Sequence, residues 1–245
     1  MLREGLERLA GRLRELVPAP FEYRICVDTA PLLERSYARL AGLGWIAKNT
    51  CLINQERGSW FFLGEMLTSL ELEPDSPPED RCGSCTRCID ACPTAAIVPA
   101  GHSGGPQWAV DSRLCISYFT IELRGSIPQE RRSGNGNHVF GCDICQDVCP
   151  WNRQAPVTAE PAFAAAHFAP PLEELAALSE DDFRRLFRET PVWRARYQGF
   201  LRNVAVAMGN SGNERFRPAL VKLAASTDPV IGEHAAWALR QLDLQ

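Results

Sequence analysis

No run of apolar residues in this 245-residue sequence approaches the length of a membrane span. Its opening stretch, MLREGLERLAGRLREL, has no uninterrupted apolar core, so a secretory signal is not expected. A chain without an export signal is expected in the cytoplasm, where thiols stay reduced. Its ten cysteines are then poor candidates for disulfides and good ones for metal or cluster ligands. Apolar residues make up 45% and charged ones 23%, ordinary for a globular protein with room for one large domain or two small ones. Net charge is also small, at −4, but it conceals an asymmetry. Between Phe183 and Lys222 nine basic residues face two acidic ones, a net +7 that leaves −11 on the rest. A basic segment on an acidic protein fits a polyanionic partner; a solvated helical face would usually mix both signs.

Leu2, Leu6, Leu9, Leu13 and Leu16 recur at helical spacing and predict an amphipathic helix. Phe21–Val27 reads as a short buried strand. Asp28 to Pro31 then reads as a helix start for LLERSYARLAGL, ending at Gly42 or Gly44. Trp60–Leu63 and Met66–Leu70 are further strand-like runs, and the strand–helix–strand order predicts an α/β unit. The acidic, proline-rich ELEPDSPPED over 71–80 reads as a linker, and Pro99–Pro106 as a flexible loop. Past Pro150 alanine and leucine take over. Arg202–Gly209 resembles Glu233–Arg240 at an offset of 31 residues, like a degenerate HEAT-type repeat. So short an array cannot bury a core alone and must pack on the rest of the protein.

The chemistry lies in the cysteines. CGSCTRCIDACP supplies Cys82, Cys85, Cys88 and Cys92, followed at once by Pro93. This is the bacterial ferredoxin run for a 4Fe-4S cluster, in which the last cysteine ligates the other cluster of a pair. A second run, GCDICQDVCP, supplies Cys142, Cys145 and Cys149 before Pro150. Cys115, 27 residues before Cys142, makes an eighth ligand. Cross-ligation predicts one cluster on Cys82, Cys85, Cys88 and Cys149, and another on Cys92, Cys115, Cys142 and Cys145. A zinc site would usually draw four cysteines as two separated pairs, which is not this pattern. Cys26 and Cys51 lie outside both runs and read as small buried residues. Asp28 has two readings: a helix cap, or a carboxyl at a strand end able to donate a proton to a ligand.

Together VDTAPLLER (27–35), GLGWIAKNT (42–50), CGSCTRCIDACP, CISYFTIE (115–122) and GCDICQDVCPWN (141–152) resemble the epoxyqueuosine reductases. The resemblance implies a cobalamin-dependent oxidoreductase with two 4Fe-4S clusters that reduces the epoxide of epoxyqueuosine at the tRNA wobble position. It implies Asp28 as proton donor. It assigns Asp28, Asn49, Leu52, Leu63, Ser117, Tyr118, Cys142 and Asp143 to the cobalamin pocket. Partners expected are tRNA and an external electron donor, with no membrane and a monomeric chain. Arg124, Arg202, Arg217 and Lys222 are expected to face the tRNA. The fold expected is α+β and helix-rich, in three parts. These are a partial α/β cobalamin-binding domain (1–75), a ferredoxin-like two-cluster domain (76–155) and a HEAT-like tRNA-binding region (156–245).

Two departures accompany the resemblance. Family members carry a longer region before VDTAP, whereas 27 residues precede Asp28 here, so part of the catalytic fold is expected to be missing. Ala47 stands where the family pattern has glycine, and its β-carbon is expected to crowd the turn. Competing readings are a reductive dehalogenase-like cobalamin enzyme, a two-cluster electron-transfer module without catalysis, and a zinc-bearing RNA-binding scaffold. The first is disfavoured by the lack of a twin-arginine signal and by the basic tail, the second by the intact VDTAP and GLGWIAKN motifs.

Overall fold

The leucine repeat forms the expected helix, α1 (Leu2–Leu16), although Leu9 and Leu16 on it stay exposed. The computed structural model describes residues 1–101, 107–164 and 169–244; most of the expected 99–106 loop lies outside them. There follow β1 (Tyr23–Cys26), α2 (Glu34–Leu40), β2 (Trp45–Ile46), β3 (Leu52–Ile53), β4 (Glu65–Thr68), α3 (Arg87–Ala91), β5 (Ile97–Pro99) and β6 (Trp108–Val110). After them come α4 (Gln129–Arg132), α5 (Ile144–Asp147), α6 (Leu172–Ala176), α7 (Glu180–Phe187), α8 (Arg196–Asn210), α9 (Arg217–Ala224) and α10 (Pro229–Leu242). The fold is thus helix-rich with few, short strands. Among the described residues no helix is long and apolar enough to cross a membrane. Two compact units emerge: Met1–Cys88 with Pro99–Ala109 and Gln146–Ala164, and Ile89–Val98 with Val110–Cys145 and Ala165–Gln245. They do not follow the expected boundaries of 1–75, 76–155 and 156–245, because the cysteine-rich region is divided between them.

In the first unit β1 pairs antiparallel with β4, Tyr23 opposite Thr68 and Cys26 opposite Glu65. This corrects the expected α/β unit: Trp60–Leu63 is irregular, and the partner strand comes later, after the chain has reversed. The Asp28–Pro31 segment does not start α2 either, which begins at Glu34 behind Leu33 with no side-chain cap. Between them the Thr29 N–H donates to the Val27 carbonyl at 2.7 Å, and the Leu32 N–H to the Ala30 carbonyl at 2.8 Å. Strands β2 and β3 form a short hairpin whose turn closes by Thr50 N–H to Ala47 carbonyl at 2.8 Å. The left-handed residue of that turn is Thr50, at φ 62°, rather than Ala47. Ala47 therefore buries its side chain beside Trp45 and Ile53 without needing a left-handed backbone.

Gly58 marks where this unit holds its returning segment. A β-carbon there would fall 2.1 Å from Asn152 Oδ1, and its φ is +66°. Gly58→Ala is therefore expected to destabilise the first unit by roughly 1–3 kcal/mol, read as a lowered urea midpoint.

The second unit is built on its helices. Ser179 and Asp182 form a capping box that starts α7. One face of α7 carries Phe183, which is buried against Phe187, Trp193, Tyr197 and Phe200 with ring centroids 5.2–5.9 Å apart. The two similar segments fall in α8 and α10. These helices approach so closely that a β-carbon on Gly209 would sit 2.7 Å from Ala238. The helical core does pack on more than itself, since Phe119 and Ile127 from the cysteine-rich region are buried in it.

Polar side chains complete that junction. Arg202 donates from Nη1 to the Leu123 carbonyl at 3.1 Å and the Gly125 carbonyl at 2.5 Å, and from Nη2 to the Phe119 carbonyl at 2.5 Å. Asn203 donates to the Thr120 and Val139 carbonyls at 2.8 and 2.9 Å. Asn210 donates to the Arg132 and Gly136 carbonyls, both at 2.9 Å. His234, fully buried, accepts from the Ile127 N–H at Nε2 (3.1 Å) and reaches the Val230 carbonyl from Nδ1 (2.7 Å). That pairing requires the neutral ring with its proton on Nδ1. Burial pushes the His234 pKa down to about 4 from its ordinary 6.5, with Arg132 and Arg202 adding repulsion. An unfolded chain takes up this proton near pH 6.5 and the folded one only near 4. The stabilisation is therefore complete above pH 6.5 and lost as pH falls toward 4. Thermal unfolding across that window is expected to show a loss of about 3 kcal/mol attributable to this group, with a shallower slope in His234→Asn.

Candidate functional site

Cys82, Cys85, Cys88 and Cys149 all belong to the first unit and line one cavity of about 390 Å³. Cys149 is brought there by the segment that Gly58 admits. Asn152 Oδ1 accepts from the Ser59 N–H at 2.6 Å, and its amide donates to the Gln146 carbonyl at 2.8 Å. The Ser59 hydroxyl bonds Gln146 Oε1 at 2.8 Å. On the other side Lys48 Nζ donates to the carbonyls of Gly83 (2.7 Å) and Cys85 (2.9 Å). Trp45 meets Trp151 edge-on at 5.0 Å and packs against Cys82. The buried Trp45 indole and the Lys48 backbone N–H are hydrogen-bonding neighbours of the Cys82 thiol. Burial pushes the Cys82 thiol up, so ionisation there calls for a cation.

Cys92, Cys115, Cys142 and Cys145 all belong to the second unit. Burial pushes the Cys142 thiol up, the Ile144 N–H opposes this, and Cys145, Cys115 and Cys92 push it further. A metal taking the thiolates would relieve that repulsion. Their loops are tied together. Ser117 Oγ donates to the Cys142 carbonyl at 3.1 Å. Thr120 Oγ1 accepts from the Gly141 N–H at 3.0 Å and donates to the Ile116 carbonyl at 2.8 Å. Thr120 sits in the π-helical turn Tyr118–Glu122 that Arg202 and Asn203 hold. Among the described residues no three His, Cys, Asp or Glu side chains close to single-ion spacing. Four thiols around a cavity of the size seen in the first unit suit a multi-iron cluster.

Asp28 is exposed and has φ 58°. With the Val27–Thr29 hydrogen bond around it, it is the apex of the rare, strained three-residue turn. The residue is thus no helix cap, since α2 begins only at Glu34. Asn49 is buried and lines the first cysteine cavity, its Oδ1 accepting from the Cys51 N–H at 3.2 Å. Leu52 is buried and Leu63 half-buried in the same unit. Ser117, Tyr118, Cys142 and Asp143 lie in the second unit. Cys26 is buried in β1, as expected, whereas Cys51 is only half-buried. Sequence reasoning passed over Thr50, whose left-handed backbone is gripped by Arg35 through its carbonyl and hydroxyl. It also passed over Lys48 and the Ser59–Asn152 clasp. A threonine in a positive-φ position leaves no mark in the sequence itself.

The basic segment needs correction. Arg202, expected to face tRNA, is 1% exposed and committed to backbone carbonyls. Arg217 is held by Glu214 and Asp243 at 2.7 and 2.8 Å. Arg184, Arg185, Arg194 and Arg215 pair with Asp181, Asp182, Glu122 and Glu173. Acids from neighbouring elements thus offset much of the surplus counted along the chain. Arg124 and Lys222 are exposed.

Residues 81–152 match the 4Fe-4S double cluster binding domain family. The chain is 46% identical over 244 residues to the epoxyqueuosine reductase of Xanthomonas campestris pv. campestris, covering 98% of this chain and 66% of that protein. A crystal structure of epoxyqueuosine reductase with an epoxyqueuosine-modified tRNA-Tyr stem loop superposes with a TM-score of 0.84 at 35% identity. It covers 98% of this chain and 62% of that one. The Bacillus subtilis epoxyqueuosine reductase, solved with its catalytic aspartate loop swung out of the active site, gives 0.81 at 34%, covering 98% and 62%. The chain spans less than two thirds of the length of the curated relatives it matches, 62–66% for the first four. In sequence and in backbone, over nearly all of its own length, it belongs to the epoxyqueuosine reductase family.

Proposed function

We propose that this chain reduces the epoxide of epoxyqueuosine in tRNA to give queuosine, with two 4Fe-4S clusters and cobalamin as cofactors. The observation that carries this reading is the division of eight cysteines, four into each compact unit. Cys82, Cys85, Cys88 and Cys149 would hold one cluster, and Cys92, Cys115, Cys142 and Cys145 the other. The donor set fits: four thiols line one cavity, with the Trp45 indole a hydrogen-bonding neighbour of Cys82, and Cys142 lies within the influence of the other three thiols of its set. For cobalamin, Asp28, Asn49, Leu52 and Leu63 offer an acid, an amide and two apolar side chains, the kinds of group that suit the amide-fringed edge of a corrin. The resemblance assigns Ser117, Tyr118, Cys142 and Asp143, in the second unit, to the same cofactor. Bound together, the clusters supply one electron at a time and cobalamin a cobalt reductant for the epoxide.

Removing the epoxide oxygen as water takes two electrons and two protons. Asp28 would deliver protons to that oxygen; its exposure and the strained turn it occupies fit a functional carboxyl. A loop-borne aspartate is also what the Bacillus subtilis relative is described as using. Arg124 and Lys222 would make phosphate contacts that position the tRNA, and the α8–α10 pair would act as a HEAT-like support. In functional terms 1–75 would carry the proton donor, 76–155 the clusters and 156–245 the RNA-facing helices, in a cytoplasmic, monomeric protein served by an external electron donor.

Anaerobic reconstitution with iron, sulfide and cobalamin is expected to give about eight irons per chain and conversion of epoxyqueuosine in tRNA. Full iron with no cobalamin uptake would instead favour a bare electron-transfer module. Asparagine tolerates positive φ, so Asp28→Asn is expected to fold and keep its iron while turnover drops at least about 100-fold. Undiminished turnover would remove Asp28 from the mechanism.

A further inference from the structure

We infer that Lys48 sets the reduction potential of the cluster on Cys82, Cys85, Cys88 and Cys149, by fixing a positive charge against the loop that carries two of its ligands. The inference rests on the ligand assignment made above. Lys48 Nζ donates to the carbonyl of Cys85, itself a ligand, and to that of Gly83, and its ammonium lies 5.7 Å from the centre of the Trp108 ring. Its neighbours fix where it points. Ala47 and Asn49 on either side are buried, and Arg35 grips Thr50 at the end of the same turn. Arg81 and Arg87 line the same cavity but are exposed, where solvent and salt weaken their effect. Reduction adds one electron to a cluster already made anionic by four thiolates. A cation held in place favours the reduced form, and net charge is one of the levers that set such potentials.

The test compares Lys48→Met, Lys48→Gln and Lys48→Arg in the reconstituted full chain, measuring iron per chain and both cluster midpoints by a titration followed by electron paramagnetic resonance. In Met and Gln one midpoint is expected to fall, making reduction of that cluster about tenfold less favourable, about 59 mV for one electron. The other midpoint should stay in place, Arg should keep both, and iron should be unchanged. Full iron with neither midpoint moved overturns the inference, as does an Arg variant as low as Met. Loss of half the iron in both neutral variants also overturns it, because Lys48 would then be only a clamp on the loop. A Cys82→Ser chain that keeps both clusters sinks the ligand assignment itself, and the inference with it.

Discussion

Arg202 is a guanidinium sealed in a protein interior, with its donors committed to the carbonyls of Phe119, Leu123 and Gly125 and to the Asn203 amide oxygen. Burying such a charge is costly unless every donor is satisfied, and burial has pulled its pKa down to about 10. At neutral pH it stays protonated, so the carbonyls it bonds cannot drift away without stranding a charge. Those carbonyls belong to the turn between Cys115 and Cys142. Asn203 and Asn210 extend the same logic to Thr120, Val139, Arg132 and Gly136. The second quartet of cysteines is thus held in register by a helix that contributes no sulfur.

The first unit solves the same problem with different chemistry. Its returning segment is clasped by neutral groups, Ser59, Gln146 and Asn152, admitted by a glycine with no β-carbon to obstruct them. The loop of Cys82 and Cys85 is held from the other side by an ammonium rather than a guanidinium. The two cysteine quartets therefore sit in different electrostatic settings, one with a fixed cation on the Cys85 carbonyl and one with a buried cation on the carbonyls of a supporting turn.

What the sequence made legible was whatever rests on spacing. The cysteine runs gave four-and-four sets that coincide with the two compact units. The leucines of α1 and the strand at Tyr23–Cys26 followed from periodicity and residue type. Properties that depend on long-range partners were not legible. Counting charges along 183–222 could not show that Arg202 turns inward or that Glu122, Glu173 and Asp243 come to neutralise its neighbours. The antiparallel pairing of β1 with β4 was hidden because the order of elements does not fix their direction. Residue type left Asp28 open between a cap and a proton-donating carboxyl, because strand ends and helix starts share residue types; its positive φ, with α2 starting only at Glu34, removes the cap.

The latch on the 119–125 turn also bears on repair. Metal sites commonly form only as the metal arrives, so that losing the ion means losing the fold around it. In the second unit the turn between Cys115 and Cys142 is tied to α8 by side chains that involve no iron. Those bonds need no iron, so emptying a cluster from that quartet would leave the turn tied to its helix, and refilling it would call for iron and sulfide rather than for folding the protein again.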